Sequence, residues 1–150
     1  MKIICLLASV LALTASVSAQ TVDLSPCEKG DGRACTLAAI ELHKAGKLAE
    51  AEKAAFKACE LNDAEGCFYL GFKYQNDQNY KVCNQYYAKA CGANFAVGCL
   101  ALANNIRLGV GTAPSLSAAI PYYQKACDLG EALGCSHVKN PGFEGHHQHH

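Results

Sequence analysis

The residues in this chain with most chemistry to offer are its cysteines. Ten occur in 150 residues, and eight fall into four pairs at one spacing: Cys27 with Cys35, Cys59 with Cys67, Cys91 with Cys99, and Cys127 with Cys135. Eight residues along a straight helix span about 12 Å, whereas a disulfide tolerates Cα separations only up to about 7 Å. Each pair therefore closes only around a turn. Turn-forming residues do stand between the members: Gly30-Asp31-Gly32, Asn62-Asp63, Gly92-Ala93-Asn94 and Leu129-Gly130. Four short disulfides are predicted on this ground. Cys83 also precedes Cys91 by eight residues, but both lie on one face of one helix, which excludes that bond. Its equivalents in the other copies are Ala51 and Ala119, so Cys83 reads as a buried free thiol acting as a small hydrophobe. A redox-active or intermolecular cysteine is the alternative. Structural zinc competes poorly, because no Cys-x-x-Cys occurs.

Other reactive patterns are few. Ser136-His137-Val138-Lys139 places Lys139 one helical turn from Ser136, the spacing of a lysine-assisted serine nucleophile. The Ser-Asp-Asn and Lys-Thr-Gly elements that accompany that string in penicillin-recognising enzymes are missing. The run His146, His147, His149 and His150 offers imidazoles to nickel, zinc or copper, against the plainer reading of 140–150 as a disordered tail without a dedicated role. No Gly-rich phosphate loop, His-Glu-x-x-His or Gly-x-Ser-x-Gly is present, and no cofactor is implied.

The N-terminus supplies the compartment. Lys2, the apolar stretch Ile3 to Leu13 and the small-residue site Val17-Ser18-Ala19 form a secretory leader over 1–19, which takes Cys5 with it. About eleven apolar residues are too few to span a bilayer. Losing Lys2 turns a formal net charge of zero into −1, which suggests neither a nucleic-acid binder nor a basic membrane-surface protein. An exported, cysteine-dense chain implies an oxidising environment, periplasmic or extracellular.

Two kinds of helix must position the cysteines. Before Cys59, Cys91 and Cys127, offsets −8, −5, −4 and −1 read Ala51, Ala54, Ala55, Ala58, then Cys83, Tyr86, Tyr87, Ala90, then Ala119, Tyr122, Tyr123, Ala126. After Cys35, Cys67 and Cys99, offsets +3, +4 and +7 read Ala38, Ala39, Leu42, then Leu70, Gly71, Tyr74, then Leu102, Ala103, Ile106. Both follow the spacing of one helical face. Helices of type A, starting at a second cysteine, thus alternate with helices of type B, ending at a first cysteine. The period is 32 residues twice and then 36. The extra four fall in Leu108-Gly109-Val110-Gly111-Thr112-Ala113-Pro114, a loop with Ser115 as the N-cap beyond it. A truncated helix, Leu133 to Lys139, closes the domain 20–139. Faces so rich in Ala and Gly must be completed by stacked neighbours, which makes the fold an all-α solenoid of about three αα repeats stapled by disulfides.

The third repeat, GCLALANNIRLGVGTAPSLSAAIPYYQKACDLGEALGC from Gly98, resembles a Sel1-like repeat in its Leu108-Gly109-x-Gly111 loop, its Ala118-x-x-x-Tyr122-Tyr123 helix and its Lys125-Ala126 ending. With cysteines eight apart it resembles the exported cysteine-rich Sel1-like proteins typified by the Helicobacter cysteine-rich proteins. The match runs from about Cys27 to Lys139, although the first two repeats lack the glycine loop and approach tetratricopeptide length. The resemblance implies a protein or peptide ligand held in a concave groove lined by A helices. A-helix positions off the buried stripe include Ile40, Glu41, Tyr69, Phe72, Lys73, Ala101, Asn104 and Asn105, of which Tyr69, Phe72, Lys73, Asn104 and Asn105 are the leading contacts. The alternative it implies is penicillin binding with weak β-lactamase activity.

Overall fold

The computed structural model describes residues 21–141. The predicted leader 1–19 with Cys5, and the histidine run from His146 to His150, lie outside the described residues. Eight helices follow in order: α1 (Ser25–Glu28), α2 (Gly32–Lys44), α3 (Leu48–Glu60), α4 (Ala64–Asn76), α5 (Tyr80–Gly92), α6 (Ala96–Leu108), α7 (Leu116–Asp128) and α8 (Ala132–Lys139). The pairs α2–α3, α4–α5 and α6–α7 are hairpins of an A and a B helix. The single turn α1 carries the first cysteine of the first staple, and α8 caps the far end.

The predicted stripes are the core. Ala51, Ala55, Ala58, Cys83, Ala90, Ala103, Ala119, Tyr123 and Ala126 are fully buried. Small side chains let helices approach closely enough that glycine is required at the crossings. A Cβ on Gly98 would stand 2.8 Å from the Ala90 Cβ, and one on Gly134 would stand 2.8 Å from the Ala126 Cβ. Adding a methyl group there would force apart the B helix and the A helix that its disulfide joins.

All four predicted disulfides are present, Cys27–Cys35, Cys59–Cys67, Cys91–Cys99 and Cys127–Cys135, each with a Cα separation of 4.5 Å. The turns that make this approach possible pass through the left-handed region at Asn62 (φ 60°) and Asn94 (φ 63°), where asparagine is among the better-tolerated non-glycine residues. One boundary differs from expectation. The A helices begin three residues ahead of their second cysteine. Asp31 and Asp63 cap α2 and α4 by accepting from the Ala34 N–H (3.0 Å) and the Gly66 N–H (3.1 Å), whereas α6 starts at the same offset behind Phe95, which makes no side-chain cap.

The loop after α6 falls where the longer period places it. Gly109 ends α6 at φ 77°, and the Ser115 Oγ accepts from the Ala118 N–H at 3.2 Å to open α7. The loop folds back on α5. The Asn84 Nδ2 donates to the Val110 carbonyl at 2.7 Å, and Gly111 lies against the backbone of Tyr80 with no space for a side chain.

Candidate functional site: the face of the A helices

The A helices α4 and α6 pack both on their own B helix and on the B helix before it, and the side chains left over face outward. In the first two repeats this face is aromatic and charge-balanced. Leu37 and Phe72 are half exposed, at 50% and 52%. Tyr69 is partly buried; its hydroxyl lies 2.7 Å from the His43 Nδ1, and the two rings meet edge to face. Burial raises the Tyr69 phenol above its ordinary value, and the Glu52 carboxylate adds to the shift while Lys73 opposes it. Lys73 is not a free cation. Its Nζ is 3.1 Å from Glu52 and 2.9 Å from Asp77, and it lies over the Tyr74 ring at 4.4 Å. Tyr74 in turn donates to Glu52 and stacks flat on Tyr86. Arg33 and Glu65 pair across α2 and α4.

Asn105 is not on this face, contrary to the sequence-based expectation. It is buried, and its Nδ2 donates to the Asn84 Oδ1 at 2.8 Å and approaches the Cys83 Sγ at 3.7 Å. The folded-back loop holds Asn84, so the amide of Asn105 is spent on joining α6 to α5. Cys83 is fully buried and makes no disulfide, and burial pushes its thiol above the ordinary value.

Asn104 does lie on the face and belongs to a cluster that spacing alone does not suggest. The Tyr123 hydroxyl, from fully buried Tyr123 of α7, donates to the Asn104 Oδ1 at 2.7 Å. The same hydroxyl accepts from the Arg107 Nε at 3.1 Å. The His137 ring from α8 stacks on Tyr123 with centroids 4.4 Å apart. Burial, and then the charge of Arg107, hold the His137 imidazole below its ordinary value. Arg107, Tyr123 and His137 are the site residues that the spacing argument passes over. A signal for Arg107 is in the composition: from Gln78 through Cys127 there is no aspartate or glutamate, although Lys81, Lys89, Arg107 and Lys125 fall within it.

Ser136 and Lys139 are both exposed on α8, whose last turn ends at Lys139. Among the described residues there is no group of three or more His, Cys, Asp or Glu able to hold a metal ion. No helix among them is long and apolar enough to cross a membrane.

Hairpins of alternating helix types, each stapled to the next, define an α/α repeat protein of the tetratricopeptide and Sel1 class. No family profile and no curated protein matches the chain, but solved structures do. A Sel1 repeat protein from Oxalobacter formigenes superposes with a TM-score of 0.69 at 20% identity, over 77% of this chain and 92% of that one. Cysteine-rich protein B of Helicobacter pylori superposes with a TM-score of 0.60 at 32% identity, over 78% of this chain and 97% of that one. The chain belongs to the family of cysteine-rich Sel1-like repeat proteins.

Proposed function

We propose that the protein is an exported binding scaffold that holds a peptide or a loop of a partner protein along the face of its A helices. The observation that carries this reading is exposed apolar surface on the A helices: Leu37 of α2 and Phe72 of α4 are half exposed among the described residues. Exposed aromatics on a rigid helical frame give contact area at low entropic cost, which suits recognition better than turnover. The leader-like N-terminus and four disulfides fit an extracytoplasmic place of work. The family likeness to a Helicobacter cysteine-rich protein supports the scaffold reading.

The test is display of random peptides against the oxidised protein. The reading expects peptides that bind one to one and are lost from Tyr69→Ala and Phe72→Ala variants that keep the helical circular dichroism spectrum. Hydrolysis of a chromogenic β-lactam by wild type but not by Ser136→Ala would replace this reading with the enzyme alternative.

A further inference from the structure

The third repeat's part of this face is built differently from the second's, and the difference is one of unspent donors. In the Arg107–Tyr123–Asn104 cluster the Tyr123 oxygen and the Asn104 Oδ1 each accept one hydrogen bond. The Tyr123 oxygen takes the Arg107 Nε–H and gives its own proton to the Asn104 Oδ1. What remains is the guanidinium's two terminal nitrogens with four N–H bonds and the Asn104 Nδ2 with two. None of these has a hydrogen-bond or ion-pair partner among the described residues. The charge of Arg107 is half-buried and paired with no carboxylate among the described residues. It is felt by its neighbour, since Arg107 disfavours the protonated form of His137. The chain from Gln78 through Cys127 offers no carboxylate that would turn toward it.

A half-buried cation with its donors arrayed beside a rigid tyrosine is complementary to a planar anion, and the guanidinium fork matches a carboxylate in particular. Leu108, the residue after Arg107 on α6, and Leu133, one turn before His137 on α8, are exposed apolar side chains and suit the hydrocarbon part of such a ligand. Resting on the scaffold reading and sharpening it, we infer that the third repeat is a carboxylate-recognition site, formed by Arg107 and Asn104 over Tyr123 with His137 at its edge, and that the partner segment seated there is acidic. The carboxylate comes from a Glu or Asp side chain or from a peptide's C-terminus; the chemistry of capture is shared.

The test is fluorescence titration of the full oxidised protein with labelled hexaglutamate, as the free acid and as the C-terminal amide, beside hexa-alanine and hexalysine. The site predicts binding of hexaglutamate that weakens with salt. Arg107→Met should reduce the affinity by about tenfold or more, as expected for loss of a charge-assisted pair, whereas Lys81→Met, an equal change in net charge on α5, should change it by less than about twofold. The decisive variant is Asn104→Asp. It keeps the acceptor for Tyr123 and places a carboxylate beside Arg107, so it should raise the melting temperature and yet abolish hexaglutamate binding. Loss of binding by the amide alone would assign the site to a terminal carboxylate, and equal binding would assign it to side chains. No hexaglutamate binding by wild type, or binding that Asn104→Asp leaves intact, would overturn the carboxylate site. Phe72-dependent binding of hexa-alanine or hexalysine in that event would leave the scaffold reading standing.

Discussion

Tyr87 and Tyr123 hold the same place in successive repeats, and their surroundings divide the molecule. Both rings are buried against the preceding A helix, and both hydroxyls meet a side chain eight positions beyond that helix's cysteine. In the second repeat this is Gln75, which accepts from Tyr87 at 2.7 Å. In the third it is Arg107, which donates to Tyr123. The cation of the second repeat, Lys73, is held between Glu52 and Asp77, whereas Arg107 has no carboxylate partner among the described residues. One frame thus supports a region whose polar groups are mutually satisfied and a region whose groups are left for a partner. Position in the repeat decides the fold, and the charge of the neighbours decides which positions remain available for binding.

The largest effect comes from cutting the two regions apart. Cys91–Cys99 joins α5 to α6, so replacing both residues by serine should cost about 2.5 kcal/mol on the loop-entropy estimate, read as a lower denaturant midpoint. Loss of the three other staples should cost similar amounts, and full reduction should unfold a solenoid this short. Next is the seat of each tyrosine. The Tyr87 ring lies on Gly71, where no Cβ fits. Gly71→Ala should therefore destabilise by about 2 kcal/mol through overpacking, although alanine stands at the equivalent Ala103. Smaller still are the hydroxyls. Tyr87→Phe should cost about 1 kcal/mol or less, since the exposed Gln75 turns to water. Tyr123→Phe should cost about that much in stability and should also weaken acidic-peptide binding, because it frees Arg107 and Asn104 from their anchor. An equal loss of peptide affinity in both variants would erase the distinction between the repeats.

The smallest expected effect is on pH dependence. His137 is held below its ordinary value in the folded protein, so the unfolded chain takes up the proton first as pH falls through about 6.5. Its contribution to stability is present above that pH and is lost as pH drops toward the lowered folded value. Thermal melts from pH 7.5 to 5 should show this decline, and His137→Gln should flatten it.

Much of this was legible in the sequence. Cysteine spacing with intervening turn residues leads to the four staples, and the 3.6-residue stripes lead to the helices and their buried faces. Asn105 was not legible as a core residue. It shares its offset with Glu41 and Lys73, which remain partly or fully exposed, and it is buried because the four extra residues of the third repeat fold back onto α5 and fix Asn84 beside it. Arg107 and Lys73 illustrate the same limit. Whether a cation is free depends on carboxylates that spacing within one helix does not reveal, here Glu52 on the helix before.

The most direct measurement is the NMR titration of the His137 imidazole, assigned by its loss in His137→Gln, with and without saturating hexaglutamate. A carboxylate seated at Arg107 offsets the charge that disfavours the imidazolium, so the account predicts that the His137 pKa rises when the peptide binds. A peptide that binds while His137 titrates unchanged would place the acidic segment elsewhere and contradict the division between the repeats.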